Sequence, residues 1–349
     1  MKRILYFLFS LLIAVLTVVC DANAAGPEAD GNAAFKLTML DVGQGLSVLI
    51  EADGHFMVYD GGNREYSSYV VSYLRQHKIS NIEYLIASHY DEDHIAGLIG
   101  ILRTASVGTA IIPQYEADTR IYESFMEAVR SADSVVYASA GKSYKLGKAT
   151  VDILYACNGT EQTENNKSTV VKVSYGGFSC ILTGDAEYDT EYVLVQNGTD
   201  LKCNLYVVGH HGSYYSSSEQ FVKAMRPEIA FISAGAGNKY GHPTEQTLAT
   251  LDAGGATVYR TDLQGGISLY CDGSEYKVVT ERDQVRRSRA TDNATTDNAT
   301  YVLNESSMRF HLPECEAVYK MAYYNRKYSS KSREDLIAEG YFPCGACNP

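Results

Sequence analysis

Short apolar runs separated by glycine and polar turns recur along the chain from about residue 36 to residue 280. The stretches "KLTML", "SVLIEA" and "HFMVYD" are typical of strands, and Asp53-Gly54 between the last two predicts a hairpin. Gly176-Gly177 and Asp272-Gly273 predict two more hairpins. Residues 66–77 carry apolar side chains at helical spacing instead, and the strand-like "IEYLIAS" follows. This alternation predicts an α/β fold of layered, mixed sheets covered by helices.

The amino-terminal segment has a different pattern. Met-Lys-Arg is followed by an uncharged apolar run over residues 4–19 and then by Ala22-Asn23-Ala24. This order predicts a signal peptide over residues 1–24 and a short lead over residues 25–35. A lipoprotein modified at Cys20 and an uncleaved anchor are the alternatives. Export predicts a bacterial protein that is secreted or held at the cell surface, with no later segment able to span a membrane.

The pattern also changes near the carboxyl terminus. The stretch "TDNATTDNAT" repeats one pentapeptide and has nothing apolar to bury, which predicts a linker over residues 283–300. The linker separates a main domain over residues 36–282 from a small, tyrosine-rich unit over residues 301–349.

The overall charge limits the possible partners. The net charge of the 349 residues is −12, which argues against a generally basic surface for nucleic acid. Any phosphate binding must therefore be local, through a metal ion or a few donors. Eight cysteines become seven when Cys20 leaves with the signal peptide, and an odd number argues against a complete disulfide framework.

One loop of the main domain concentrates metal-ligand side chains in the stretch "SHYDEDHIAGL". These side chains are His89, Asp91, Asp93 and His94. They follow the apolar run that ends at Ala87 and precede a helix predicted to begin near Ile95, so they could face inward around one or two divalent ions. A solvated loop with a helix cap is the alternative, but it would not explain both histidines.

Two later stretches offer further ligands. Asp185 ends the apolar run "CILTGD", where an unpaired buried carboxylate would be costly and an ion would relieve that cost. His210 follows the apolar "LYVV" and is our choice for the remaining imidazole ligand. His211 would support the ligands or donate to substrate together with Ser213. For either histidine, a hydrogen-bonded, half-buried structural role is the alternative.

These motifs resemble the metallo-beta-lactamase superfamily, whose signature is a histidine, a second ligand two residues on, and then Asp-His. The form with aspartate at the second position, here "HYDEDH", is similar to the hydrolase domain of ComEC-type competence proteins. Further matches follow in the family's order: "LDVGQG", "YDGG", "NNKS", "LTGDA", "VGHHGS", "YGHP" and "RTDLQGGI". The resemblance covers roughly residues 36–270. It implies an αββα sandwich of two mixed sheets flanked by helices.

The resemblance also implies roles for individual residues. Asp185 would bridge two metal ions, and His89 and Asp91 would complete the first site, because "NNKS" stands where many members have a further histidine. This oxygen-rich set permits manganese as well as zinc. Asp41 and Asp60 would orient ligands or pin turns. Leu46 departs from the competence proteins, which commonly have aspartate there.

Two metal ions suit the in-line displacement of a phosphodiester by a metal-activated hydroxide held by Asp93 or Asp185. The motifs around the ions offer neutral or cationic donors suited to phosphoryl oxygens. The expected substrate contacts are Asn166, Ser168, His211, Ser213 and His242, of which His211 and His242 would also act in catalysis. His242 could alternatively be a simple turn residue.

The expected function is therefore that of a secreted nuclease acting on extracellular DNA. One alternative is a phosphorylcholine-type or other envelope phosphodiesterase on the same site. The other is a non-catalytic DNA-binding surface protein. No protein partner can be inferred.

The carboxyl-terminal unit carries two close pairs of soft ligands, His311 with Cys315 and Cys344 with Cys347. Three thiolates and one imidazole suit a tetrahedral structural zinc, which so small a unit needs for stability. The unit resembles the Ada-type metal-binding domain, with His311 in place of a cysteine. A disulfide between two of these cysteines is the alternative.

Overall fold

A computed structural model describes residues 33–282, 301–304, 307–312, 315–319, 326–329, 331–347 and 349. The predicted signal peptide, most of the predicted lead and the predicted linker lie outside these residues. Among the helices of the described residues, none combines the length and the apolar character needed to cross a membrane.

The strands of the described residues are given first, in chain order. They are β1 (Phe35–Met39), β2 (Ser47–Ala52), β3 (His55–Gly61), β4 (Asn81–Ile86), β5 (Ser106–Ile112), β6 (Ser134–Tyr137), β7 (Ser143–Leu146), β8 (Ala149–Tyr155), β9 (Val170–Tyr175), β10 (Phe178–Leu182), β11 (Leu205–Val207), β12 (Ile229–Ile232), β13 (Thr257–Arg260), β14 (Ile267–Cys271), β15 (Tyr276–Thr280), β16 (Tyr301–Asn304), β17 (Arg309–His311), β18 (Arg326–Ser329) and β19 (Phe342–Pro343).

The helices and short 3-10 turns lie between these strands. The helices are α1 (Ser67–Gln76), α2 (Glu92–Leu102), α3 (Arg120–Ala128), α4 (Tyr188–Gln196), α5 (Glu219–Met225), α6 (Glu245–Ala253), α7 (Thr261–Gln264), α8 (Glu316–Tyr319) and α9 (Arg333–Ala338). The 3-10 turns are Arg64–Tyr66, Val129–Ser131, Asn165–Lys167 and Gly209–Gly212.

Two large mixed sheets form the main body. The first has the order β15-β14-β1-β2-β3-β4-β5-β6, and the second has the order β13-β12-β11-β10-β9-β8-β7. Strands β3 to β6 run parallel to one another, as do β10 to β13, and the remaining pairs are antiparallel. All three predicted hairpins are confirmed, as the β2-β3, β9-β10 and β14-β15 pairs.

The core is arranged in layers. The inner faces of the two sheets pack together through buried side chains such as Met39, Ile86, Leu182 and Phe231. Helices α1 to α3 bury their apolar sides on the outer face of the first sheet, and α4 to α6 do so on the second. The predicted αββα architecture is confirmed. Each sheet buries both faces, which explains why its central strands are apolar without strict alternation.

The carboxyl ends of the parallel strands meet at one edge of this sandwich. The chain leaves β4 just before His89, β10 just before Asp185, and β11 just before His210 and His211. This is the edge at which α/β sheets generally bind ligands. Helix α2 packs directly on β3 there, since a Cβ atom added to Gly97 would lie 1.8 Å from the carbonyl oxygen of Gly61.

A third, small sheet lies at the carboxyl terminus, with the order β18-β16-β17-β19. Leu303 and Phe310 of this sheet pack with Leu336 of α9 in a small buried cluster. The separate sheet and cluster fit a small additional domain beside the αββα body.

Candidate metal centre

The amino terminus of α2 presents three of the predicted ligands. Asp91 occupies the position before the helix in an extended conformation, and its side chain makes no capping hydrogen bond. The helix begins at Glu92 rather than near Ile95, so Asp93 and His94 lie in its first turn and not in a loop. The apolar run had suggested the later start, but acidic residues are favourable in a first turn because they face the positive end of the helix dipole.

His94 is completely buried and held from both sides. Its Nδ1 atom lies 2.8 Å from Oδ2 of Asp60, and its Nε2 atom lies 3.1 Å from Oδ1 of Asp185. Asp60 in turn accepts hydrogen bonds from the backbone N–H and the hydroxyl of Ser88, at 2.8 and 2.7 Å. Asp60 thereby fixes the ring so that Nε2 points into the site.

His89 faces the same point. Its Nδ1 atom lies 2.9 Å from the hydroxyl of Ser88, and its buried Nε2 atom has no hydrogen-bond partner. Ligand atoms of His89, His94 and Asp185 all lie within 4.8 Å of one another, close enough to share an ion. Asp91 is near this group, with Oδ2 at 3.6 Å from Nε2 of His89, and remains partly exposed.

His211 completes a second group. Its Nδ1 atom donates to the carbonyl oxygen of Ser233 at 3.0 Å, which directs Nε2 inward. That Nε2 atom lies 3.3 Å from Oδ2 of Asp93 and 3.7 Å from Oδ2 of Asp185. Asp93, His94 and His211 bring ligand atoms within 4.8 Å of one another. His94 belongs to both groups, and Asp185 of the first group also faces His211 of the second.

His210 lies further from this centre. Its Nε2 atom is 3.8 Å from Oδ2 of Asp185, and its Nδ1 atom is 3.7 Å from Oε1 of Glu187. It is partly exposed, and among the described residues it belongs to neither of the two groups that could share an ion. Of the two adjacent histidines, His211 is the one whose ligand atom lies within a group, while the choice of His210 as the ligand stays a prediction.

The electrostatics of the centre favour a cation. Burial disfavours ionisation of Asp93, yet the neighbouring His211 and His94 hold its pKa at about 2. The pKa of Asp185 also lies well below its ordinary value, because His94 and His211 outweigh its burial. Asp185 and Asp60 raise the pKa of His94, and Asp185 and Asp93 raise the pKa of His211, in both cases against the effect of burial. The carboxylates that favour a positive charge on these rings would favour a bound metal ion in the same way.

The unsatisfied atoms decide whether metal ions fit. The described residues bury only a few side-chain nitrogen and oxygen atoms without a hydrogen-bond partner, and four of them meet here: Nε2 of His89, His94 and His211, and Oδ1 of Asp185. Such atoms are costly to bury unless something binds them. Imidazole nitrogens and carboxylate oxygens in this mixture suit zinc or manganese.

Three of the expected substrate contacts are engaged within the protein. Asn166 is buried, and its side-chain oxygen accepts from the backbone N–H of Glu187 at 3.0 Å. The hydroxyl of Ser168 accepts from the backbone N–H of Asp185 at 3.1 Å, and that of Ser213 accepts from the N–H of Tyr215 at 3.3 Å. These three side chains hold the loops of the site in place.

Three further residues considered in the sequence lie in or near the loops of the site. His242 is half-buried beside the centre, with its ring centroid 5.7 Å from that of His210. Asp41 pins a turn, since its carboxylate accepts from the backbone N–H of Gly43 at 3.3 Å. Leu46 is buried, its N–H donates to the carbonyl oxygen of Asp93 at 3.1 Å, and its side chain packs in the core between the two sheets.

Four residues of the site were missed from the sequence. Ser88 orients Asp60 and His89, Glu187 faces His210, Asn165 donates to Glu187 at 2.9 Å, and Gln44 lies 3.4 Å from His242. Three of them lay inside recognised motifs, "SHYDEDH", "NNKS" and "LDVGQG", and Glu187 follows "LTGDA" directly. A place inside a recognised motif was the available signal for the first three, and closeness to Asp185 was the signal for Glu187.

Comparison with known proteins agrees with this geometry. The sequence model of the metallo-beta-lactamase superfamily matches residues 40–236, which include His89 to His94, Asp185 and the His210-His211 pair. The chain belongs to the metallo-beta-lactamase superfamily. The family resemblance expected from the motifs is confirmed.

Relatives of this superfamily member include competence proteins. The chain is 29% identical to ComE operon protein 3 of Bacillus subtilis over 66% of this chain and 32% of that protein. It is 30% identical to the competence protein ComA of Neisseria gonorrhoeae over 70% of this chain and 33% of that protein. The chain thus spans about a third of the length of these curated relatives.

Among solved structures, the metallo-beta-lactamase fold protein YhfI of Bacillus subtilis matches with a TM-score of 0.45 and 12% identity, over 65% of this chain and 96% of that protein.

This metallo-beta-lactamase superfamily member has a second cluster of possible ligands in its small carboxyl-terminal sheet. Ligand atoms of His311, Cys315, Cys344 and Cys347 lie within 4.8 Å of one another. The Sγ atoms of Cys315 and Cys344 are 4.0 Å apart, and every cysteine of the described residues is a free thiol. Both ring nitrogens of His311 are buried without a hydrogen-bond partner. The described geometry therefore fits four ligands around one ion.

Proposed function

We propose that the protein is an exported, metal-dependent phosphodiesterase that cleaves DNA. The observation that carries the proposal is the convergence of buried, unpartnered atoms of His89, His94, His211 and Asp185 at the carboxyl ends of strands from both sheets. If these residues had only a structural role, the cost of burying their unpartnered atoms would remain unexplained.

Two ions would be held by the chain's own residues. His89, Asp91 and Asp185 would hold the first, and Asp93, His94, His211 and Asp185 the second. When bound, a pair of divalent ions activates water as a nucleophile and stabilises the charge that develops on phosphoryl oxygens. Asp60 and Ser88 keep His94 and His89 in the orientation that this binding requires.

Donors beside the centre would orient the phosphodiester. The Gln44 amide oxygen accepts from the backbone N–H of Gly235 at 3.2 Å, so its amide nitrogen faces Nδ1 of His242. His242 then carries its proton on Nε2, from which it can donate to a phosphoryl oxygen. Burial, followed by the nearby His210 and His211, lowers the pKa of His242 to about 4, so the ring stays neutral near neutral pH. A neutral ring can donate a hydrogen bond to a phosphoryl oxygen without repelling the metal ions beside it.

DNA as the substrate is supported by the relatives. Competence is the capacity of a bacterium to take up DNA, and two of the similar proteins carry competence in their names or operon. The acidic net charge agrees with binding that depends on the metal centre rather than on a basic surface. Export rests on the amino-terminal pattern of residues 1–24.

The direct test uses the purified protein without its predicted signal peptide. The protein is stripped of metal, supplied separately with zinc or manganese, and given circular plasmid and circular single-stranded DNA. Restoration of cleavage by one metal supports the proposal and identifies an endonuclease. Absence of cleavage with either metal, in protein shown to bind ions, overturns it and favours an envelope phosphodiester as the substrate.

We propose separately that one zinc ion stabilises the carboxyl-terminal unit through His311, Cys315, Cys344 and Cys347. Replacement of Cys344 by alanine should remove one zinc per chain and lower the thermal stability of this unit, because a tetrahedral site needs all four ligands. Metal content measured by mass spectrometry checks this. Cys157→Ala, which removes a half-buried thiol elsewhere, is the matched control. Unchanged zinc content in the Cys344 variant would contradict the proposal.

A further inference from the structure

A large aromatic side chain lies exposed beside the metal centre. Tyr240 is 58% exposed, and its ring stacks on that of His242 with centroids 5.7 Å apart and planes inclined by 25°. We call this stacked pair the Tyr240 platform. His242 forms the half-buried inner end of the platform, and Tyr240 forms the exposed outer end.

The loop that carries the platform is held rigidly by one side chain. The amide nitrogen of Asn238 donates to the carbonyl oxygens of Gly235 and His242, and its amide oxygen accepts from the backbone N–H groups of Tyr240 and His242. A loop with its ends joined in this way loses little conformational entropy when it binds a ligand. The exposure of Tyr240 is therefore a fixed feature and not the result of a loose loop.

The platform is connected to the catalytic loops. The rings of His242 and His210 lie 5.7 Å apart, and Nε2 of His210 is 3.8 Å from Asp185. The backbone N–H of Thr244 donates to the carbonyl oxygen of Gly212 at 2.9 Å, which joins the platform loop to the loop of the histidine pair. The inner end of the platform, His242, therefore lies next to the loop that carries the histidine pair.

We propose that the Tyr240 platform stacks an unpaired base of the nucleotide next to the bond that is cleaved, so that single-stranded DNA is the preferred substrate. Aromatic side chains bind single strands in this way because every base has a π face. Bases inside a duplex already stack on their neighbours and cannot reach the ring without unpairing. The inference rests on the proposed phosphodiesterase function.

The charge beside the platform distinguishes DNA from a choline head group. The Nζ atom of Lys239 lies 5.1 Å from the centroid of the Tyr240 ring. A quaternary ammonium would be repelled by this ammonium, although an aromatic ring alone would attract it. The backbone phosphate of a polynucleotide is attracted instead, so the lysine and the ring together suit a nucleotide.

The test measures binding of the metal-loaded protein to a single-stranded oligothymidylate with a phosphorothioate backbone, which resists cleavage. The comparison ligands are an abasic oligomer and a duplex of the same length and backbone. Tyr240→Ala should weaken binding of the oligothymidylate about tenfold or more, leave the abasic oligomer unchanged, and remove the preference over the duplex. Tyr240→Phe should stay within about threefold of the unmodified protein, since it keeps the ring.

Tyr192→Ala is the matched control, because Tyr192 is 60% exposed on α4 and carries no assigned role. Equal affinity of the unmodified protein for the oligothymidylate and the abasic oligomer would overturn the platform, as would an unchanged affinity in Tyr240→Ala. A Tyr240→Ala loss seen for phosphocholine and not for the oligothymidylate would also overturn it.

Failure of the platform is distinguishable from failure of the nuclease proposal. Cleavage of DNA that is indifferent to Tyr240→Ala would keep the nuclease and overturn the platform. Tyr240-dependent binding of the oligothymidylate by a protein that cleaves no DNA would overturn the nuclease, and with it the position of the platform next to a cleaved bond, but would keep the stacking of a base on Tyr240.

Discussion

Asp60 is the residue on which the orientation of the centre most depends. It is completely buried, and its carboxylate binds Ser88 twice and Nδ1 of His94 once. Asp60→Asn should lower metal affinity about 10- to 100-fold, because an amide can no longer accept from both partners and fix the ring. Asparagine tolerates the left-handed backbone at this position, where φ is 57°. Titration of the metal against a chelator measures the affinity.

Asp41→Asn is the control for this variant, since Asp41 accepts from the turn at Gly43. It should retain the affinity of the unmodified protein. Equal affinities of the Asp60 and Asp41 variants would contradict the role given to Asp60.

The adjacent histidines give a second prediction at this scale. His211→Ala should lose bound metal and DNA cleavage together, because its Nε2 atom lies at 3.3 Å from Asp93 inside the cluster. His210→Ala should keep its metal, since His210 lies at the mouth of the site. Metal content per chain, measured on both purified variants, checks the difference. Loss of metal in His210→Ala alone would restore the assignment made from the sequence.

The ligand-rich motifs could be found from the sequence, but which side chain of each motif faces the metal centre could not. His210 and His211 both follow β11, and both have left-handed backbones, with φ of 52° and 57°. In a strand, two adjacent side chains point to opposite faces of the sheet, so their directions could have been predicted. In this turn, no such rule gives their directions. Asn165 and Asn166 present the same difficulty in the 3-10 turn that contains them. Only the tertiary contacts decide which neighbour faces the centre.

Helix α2 depends on its close approach to β3. A Cβ atom at Gly97 would lie 1.8 Å from the carbonyl oxygen of Gly61, so Gly97→Ala must move the helix that carries Asp93 and His94. We expect a loss of about 3 kcal/mol in the free energy of unfolding and weaker metal binding. Denaturant unfolding and metal titration measure the two effects.

Gly100→Ala in the same helix is the matched control. Its added Cβ meets the hydroxyl of Ser67, a side-chain end that can rotate away, and alanine favours the helix by about 1 kcal/mol. The Gly100 variant should therefore be much less destabilised than the Gly97 variant. Equal stability of the two would contradict the tight packing of α2 on β3.

Helix α4 is joined to the start of α5 through Glu191. Its buried carboxylate accepts from the backbone N–H groups of Ser217 and Ser218, and burial raises its pKa from 4.5 to about 7. Between these pH values the unfolded chain loses this proton while the folded protein keeps it. The free energy of unfolding should therefore fall by about 3 kcal/mol as pH rises from 4.5 to 7.

Glu191→Gln should lack this fall, because glutamine does not titrate. Denaturant unfolding of both proteins at several pH values isolates the effect as their difference. If the free energies of unfolding of the two proteins differ by the same amount at every pH in this range, a buried, protonated Glu191 is contradicted.

Elements defined by local chemistry were predictable, and their arrangement was not. The hairpins at Asp53-Gly54, Gly176-Gly177 and Asp272-Gly273 followed from turn residues that adopt positive φ. The pairing of β1 with β14 joins residues such as Met39 and Ile267 that are far apart in the chain. No local pattern encodes such a pairing. The alternation of strands and helices predicted layered sheets covered by helices, but the αββα order of the layers was expected only through the family resemblance.

At the scale of the whole molecule, the centre exists only when both sheets are assembled. The first sheet and α2 supply His89, Asp91, Asp93 and His94, and the second sheet supplies Asp185 and His211. Packing of the two inner faces therefore creates the site as well as the core. The negative net charge of the chain is compatible with the proposed phosphodiester substrate, since metal ions held at the centre would attract it locally.

The measurement that tests this account most directly compares DNA cleavage by the unmodified protein with that by Asp93→Ala and His94→Ala, each supplied with the activating metal and shown to be folded. The account predicts that cleavage is lost in both variants, because each removes a ligand from the centre while leaving the two sheets packed. Undiminished cleavage by either pure variant would contradict the assignment of this cluster as the catalytic metal centre.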